Sequence, residues 1–253
     1  MRVIVTNDAV EMGRWVASHA AEDLRHCIAS RGHATIVVAT GASQFTVLEH
    51  LIQAPEIDWS VVTGFHLDEY VGLSPNHPAS FCRYLKERFV DHVPLAEFHY
   101  LVGDRDPRQT IDRIGTMLSD TVVDVALVGI GENGHLAFND PPADFATPDP
   151  YLIVNLDQPC RAQQVGEGWF ATLGDVPTQA ISMSVRQIMR SKKIYCSVPD
   201  LRKATAVRRT LEDPVSAEIP ASILRQHPAA TLVVDRAAAS QLSAATQSSA
   251  EQI

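Results

Sequence analysis

Cysteine is scarce in this chain, and the few present are not grouped. Cys27, Cys82, Cys160 and Cys196 are far apart and form no CxxC or other metal-ligand spacing, so they read as free thiols of a reducing cytosol and no metal is expected. Apolar runs are short as well. None approaches the roughly 18 residues a membrane span needs. The start, MRVIVTND, lacks the ordered basic, apolar and small-residue regions of a secretory leader. A cytoplasmic protein without membrane contact is the expectation. Positive charge is also in short supply: 21 Lys and Arg stand against 30 Asp and Glu, a net charge of −9. That balance argues against a nucleic-acid partner, whose phosphates demand clustered cations. An anionic small molecule would need a local basic pocket. There is no internal repeat, and no Pro/Gly/Ser linker divides the chain.

What is present is alternation. Short β-branched runs at residues 2–5, 35–39, 59–65, 122–128, 193–198 and 231–234 are separated by amphipathic stretches. That pattern predicts an α/β fold: a single-domain, Rossmann-like open sheet, mostly parallel, with helices on both faces. Residues 11–31 place Met12, Trp15, Val16, Ala20, Leu24 and Ile28 at helical spacing and end before Gly32, which predicts a covering helix. One domain over residues 1–253 is expected. The Ala-, Ser- and Gln-rich stretch 237–253 reads as a fraying terminal helix or tail. A homo-oligomer is compatible with all of this, because sequence does not separate apolar surface from core.

Chemistry concentrates at strand ends, where open α/β sheets bind ligands. Residues 122–142, VVDVALVGIGENGHLAFNDPP, pass from an apolar run into a glycine-rich loop carrying Asn133, His135 and Asp140. The carboxylate of Asp140 is close enough in sequence to orient the imidazole and fix its tautomer. GIGENG matches only part of a dinucleotide fingerprint and leads into HLAFNDPP rather than a long helix, so no nucleotide cofactor is expected. Asp68 and Glu69 follow a second run, where one carboxylate can face the crevice while the other anchors a loop or caps a helix. Thr40, Gly41, Ala42 and Ser43 follow a third, TIVVA, in a turn suited to cradling a phosphate. Arg161 and Lys203 are the candidate cations for its charge.

FHLDEYVGLSPNHPASF together with GIGENGHLAFNDPP closely resembles the glucosamine-6-phosphate deaminase family, within a superfamily shared with 6-phosphogluconolactonase. ATGAS, LRKA and LRQHPAATLVVD extend the resemblance along nearly the whole chain. The related lactonases carry a GHxAS pattern and usually DER where this chain has Asp68, Glu69 and Tyr70, so DEY and GHLAFND favour the deaminase side. The resemblance implies an aldose–ketose isomerisation of a phosphorylated amino sugar with release of ammonia, and no cofactor. Asp68 would move a proton from C2 to C1, His135 would assist ring opening, and Asp140 would hold His135. Thr40, Gly41, Ala42, Ser43, Arg161 and Lys203 would grip the 6-phosphate.

The chain departs from the family pattern at Asn133, where well-known members carry Asp, and at Asp140, where they carry Glu. Its phosphate loop reads TGAS rather than TGGT, and the basic residues of the allosteric site in some hexameric members have no counterpart after Pro142. Glucosamine 6-phosphate is the expected substrate. A galactosamine-6-phosphate isomerase, a 6-phosphogluconolactonase-type hydrolase and a non-catalytic sugar-phosphate sensor are the alternatives.

Overall fold

A computed structural model describes residues 1–253. The first half of the chain runs β1 (Arg2–Thr6), α1 (Ala9–Arg31), β2 (Ala34–Val38), α2 (Phe45–Leu51), β3 (Val62–His66), β4 (Asp68–Tyr70), α3 (Phe81–Arg88), β5 (Glu97–His99), α4 (Pro107–Ser119) and β6 (Val125–Val128). The second half runs β7 (Tyr151–Asn155), α5 (Gln158–Gly166), β8 (Gln179–Met183), α6 (Val185–Ile188), β9 (Lys193–Val198), α7 (Ala204–Glu212), β10 (Ala230–Asp235), α8 (Ala244–Ser249) and β11 (Glu251–Gln252). Eight strands form the main sheet in the order β11-β1-β10-β9-β6-β2-β3-β5, and every pairing in it is parallel.

Successive strand residues point to opposite faces, and the burial follows that period. Val37, Ala126, Val128, Cys196, Val198, Leu232 and Val234 enter one core with α4, α6 and α7. Ile36, Val38, Val125, Leu127, Tyr195 and Val233 enter the other with α1, α2 and α3. The sheet is covered on both faces, as the near-continuous apolar strands require.

Helix α1 shows how local sequence sets an element. The Asp8 carboxylate accepts hydrogen bonds from the N–H groups of Val10 and Glu11, and Gly32 ends the helix in the left-handed region at φ 80°. Leu24 on its inner face is fully buried, so Leu24→Ala would cost about 2–5 kcal/mol.

Three expectations needed adjustment. The strand expected at residues 59–65 begins only at Val62, because the Asp58 side chain accepts from Ser60 N–H and holds Trp59–Val61 in a 3-10 turn. The strand expected at 122–128 begins at Val125, with Val122 exposed. A second sheet, β4-β8-β7, is antiparallel and was not foreseen. At the C-terminus, Ser243 caps α8, and β11 pairs with β1 at the sheet edge.

Candidate active site

Six parallel strands deliver residues at or just beyond their carboxyl ends to one cavity of about 540 Å³. Ala9 follows β1, Thr40 to Ser43 follow β2, Leu67 and Asp68 follow β3, Gly129 to Gly131 and His135 follow β6, Pro199 to Lys203 follow β9, and Asp235 closes β10. The cavity lies beyond the carboxyl ends of the sheet, where helix starts and loop amides converge.

Asp68 and Glu69 divide as their alternation on β4 dictates. Glu69 turns away from the cavity and accepts hydrogen bonds from Tyr70 N–H (2.8 Å), Phe81 N–H (3.2 Å), Cys82 N–H (2.8 Å) and the Ser80 hydroxyl (2.7 Å). It therefore caps the start of α3. Asp68 lines the cavity and takes none of those donors. Burial, reinforced by the neighbouring Glu69 charge, pushes its carboxyl up to about 8. A carboxylate so destabilised in its charged form is a strong base once ionised.

Opposite, the loop after β6 folds tightly enough to stand His135 on the backbone. Gly131 N–H donates to His135 C=O (3.0 Å), and the imidazole lies against Gly131 so closely that any Cβ there would collide with the ring. His135 Nδ1 lies 3.0 Å from Asp140 Oδ1. Asn133 ties the loop together: its Oδ1 accepts from His135 N–H (3.0 Å), while its amide donates to Asp140 (2.9 Å) and to Asp157 (3.1 Å). Asp157 N–H donates to the second Asp140 oxygen (2.9 Å). Burial alone would raise the Asp140 carboxyl, but the hydrogen bonds from His135, Asp157 and Asn133 outweigh it and hold it below the usual carboxylate range. Asp140 is thus a permanent acceptor, which leaves the proton on Nδ1 and turns His135 Nε2 into the free ring nitrogen.

The two halves are joined through Ser182 on β8. Asp68 pairs with Ser182 across the small sheet. The Ser182 hydroxyl accepts from Phe138 N–H (3.0 Å) and from the Asn139 amide (3.1 Å) in the His135 loop.

In the same cavity, Gly41 adopts φ 89° at the turn into α2, and its carbonyl accepts from the Tyr84 hydroxyl at 3.0 Å. Lys203 is buried and faces the cavity. Burial lowers its ammonium from the usual range, partly opposed by the Glu167 carboxylate, whose Oε1 is 3.9 Å from Nζ. Arg202 also lines the cavity, held by Asp200 at 2.9 and 3.1 Å.

Arg161, expected in the phosphate grip, is a correction. Its guanidinium turns away from the cavity and donates to the carbonyls of Leu173 (2.6 Å) and Val176 (3.0 Å). The α5 residues that do reach the cavity are Gln163 and Gln164, with Glu167 just beyond the helix. Asn133 and Asp140 stand behind His135 and outside the lining. Sequence reasoning missed Gln163, Gln164, Glu167 and Arg202. The available signal was the i, i+4 spacing of Gln163 and Glu167, which puts both on one face. As for metals, His135, Asp140 and Cys160 place potential ligand atoms within 4.8 Å of one another, and His135 Nδ1 and Asp140 Oδ1 are hydrogen-bonded to each other.

A family profile described as glucosamine-6-phosphate isomerases/6-phosphogluconolactonase matches residues 7–233. A glucosamine-6-phosphate deaminase of Exiguobacterium sibiricum is 39% identical over 210 residues, covering 83% of this chain and 81% of its own. Among solved structures, a monomeric glucosamine-6-phosphate deaminase of the NagB superfamily superposes with a TM-score of 0.85 at 30% identity, over 95% of this chain and 99% of that one. A 6-phosphogluconolactonase from Shewanella baltica matches with a TM-score of 0.76 at 21% identity, over 93% and 97% of the two chains, a likeness of fold alone.

Proposed function

Because the chain belongs to the glucosamine-6-phosphate isomerase/6-phosphogluconolactonase family, we propose that it is a glucosamine-6-phosphate deaminase, converting the amino sugar phosphate and water to fructose 6-phosphate and ammonia. The observation that carries the reading is a raised, cavity-facing Asp68 opposite an imidazole whose Nδ1 is committed to Asp140, in a cavity that ends at Lys203.

In this reading His135 Nε2 takes the anomeric hydroxyl proton and delivers it to the ring oxygen, opening the pyranose to the aldehyde. Ionised Asp68 then removes the C2 proton while the aldehyde oxygen takes a proton from the C2 ammonium, giving an enaminol. Asp68 returns its proton to C1, leaving an iminium at C2. Water adds to C2, the C–N bond breaks, and ammonia leaves with the ketose. One carboxylate serves both carbons because they are adjacent and present the same face. Lys203 and the Thr40, Gly41, Ala42, Ser43 turn hold the phosphate, which converts a flexible substrate into a positioned one.

The test is a coupled assay for ammonia and ketose 6-phosphate from glucosamine 6-phosphate, with galactosamine 6-phosphate and 6-phosphogluconolactone in parallel. Ammonia release that disappears in Asp68→Asn is the expected result. Silence on both amines with rapid lactone hydrolysis would overturn it.

A further inference from the structure

The phosphate end of the cavity contains a carboxylate that an anion site by itself would not need. Glu167 lines the cavity beside Lys203, with only 8% of its side chain exposed. It is not a loose counter-ion. Its Oε1 accepts from the Gln163 amide (2.7 Å) and its Oε2 from the Trp169 indole N–H (3.2 Å). Gln163 is in turn fixed by accepting from Glu132 N–H (2.9 Å). Trp169 packs against Phe45 and Tyr84.

At 3.9 Å from Oε1, the Lys203 Nζ is beyond the roughly 2.7–3.2 Å of a direct hydrogen bond. Lys203 therefore keeps its donors for a ligand, and the carboxylate keeps unfilled acceptor positions. A phosphate on Lys203 would be repelled by so near a carboxylate unless the ligand also brought a donor to it. Carboxylates only accept, so the matching group must carry O–H or N–H. The deaminase reading, on which this step rests, places C1 and C2, with the C2 amine, at the Asp68 end of the cavity. What remains near the phosphate arm is a hydroxyl. In the ring form the nearest one is on C4, beside the carbon that bears the arm.

We propose that Glu167 is a specificity-determining residue that accepts a hydrogen bond from the C4 hydroxyl of the sugar phosphate. The acceptor is held by Gln163 and Trp169, so it reads the position of that hydroxyl rather than following it.

The experiment is calorimetric binding of three unreactive probes, glucose 6-phosphate, 4-deoxyglucose 6-phosphate and inorganic phosphate, to the wild-type chain and to Glu167→Gln. The wild type should bind the 4-deoxy sugar about tenfold or more weakly than its parent, as loss of a hydrogen bond to a charged group implies. In Glu167→Gln that difference should shrink towards unity, while inorganic phosphate binds as tightly or more tightly, which also reports an intact pocket. Equal wild-type affinity for the two sugars would overturn the proposal without any variant. Tighter binding of all three probes by Glu167→Gln, with the sugar difference unchanged, would overturn it too and make Glu167 only a counter-charge to Lys203. Absence of ammonia release by the wild type would count against the deaminase reading alone, since C4 recognition is measured by binding.

Discussion

Asp68 and Glu69 are consecutive on β4, and their carboxylates serve opposite sides of it. Glu69 gathers four donors and fixes the start of α3, while Asp68 is left facing the cavity with a raised pKa. One strand thus carries an anchored acid and a cavity-facing one.

The proposed base sets a pH dependence. In the proposed mechanism Asp68 must be ionised to take the C2 proton, and its carboxyl is pushed up to about 8 by burial and Glu69. We expect kcat/KM to rise with pH up to about 8, and Asp68→Asn to lower kcat by about 10²–10⁴. A profile already flat from pH 6 upward would contradict this.

The same shift should appear in stability with the opposite preference. The folded chain keeps a proton on Asp68 that the unfolded chain releases near its ordinary value of 3.8, so stability declines as pH rises from about 4 to about 8. Asp68→Asn removes that cost. Melting curves should show the variant more stable than wild type at pH 8 and little changed at pH 4.

Glu69 should matter for folding more than for chemistry. Glu69→Ala strands buried N–H groups of Phe81 and Cys82 and the Ser80 hydroxyl, and should cost about 3 kcal/mol or more in urea unfolding. A change within about 0.5 kcal/mol, the usual range for surface substitutions, would mean α3 has another cap.

Asn133 offers a test of a departure from the family pattern. Its amide donates to two carboxylates at once, Asp140 and Asp157, so Asn133→Asp would set three acids together. We expect a loss of about 1–3 kcal/mol at pH 8, with recovery as pH falls and the cluster gains a proton. Unchanged stability across pH would show that the loop reorganises.

Binding and chemistry should separate along the cavity. Lys203→Ala should raise KM by tenfold or more with a smaller effect on kcat, and His135→Ala should lower kcat by about 10²-fold or more. The reverse pattern in steady-state kinetics would exchange their roles.

Much of this architecture was legible because strand ends announce themselves. An apolar run followed by Gly41, by Asp68 or by Gly131 and His135 marks where a parallel sheet meets its ligand. The small antiparallel sheet was not, since β4 has three residues and its partners lie far along the chain, so no local period reveals it. Arg161 and Gln164 show a finer limit. They are three positions apart on α5, yet Gln164 reaches the cavity while Arg161 bonds the carbonyls of Leu173 and Val176. Which one faces inward depends on the rotational phase of the helix. That phase is fixed by the Asp157 cap and by packing of Cys160 among Tyr70, Phe138 and Phe170, information held outside the residue itself.

Ser182 gives the site its dimensional tolerance. The strand bearing Asp68 and the loop bearing His135 are both referenced to this one residue, by backbone pairing on one side and by its hydroxyl on the other. A shift of β8 would therefore act on the Asp68 strand and the His135 loop together rather than on one of them alone.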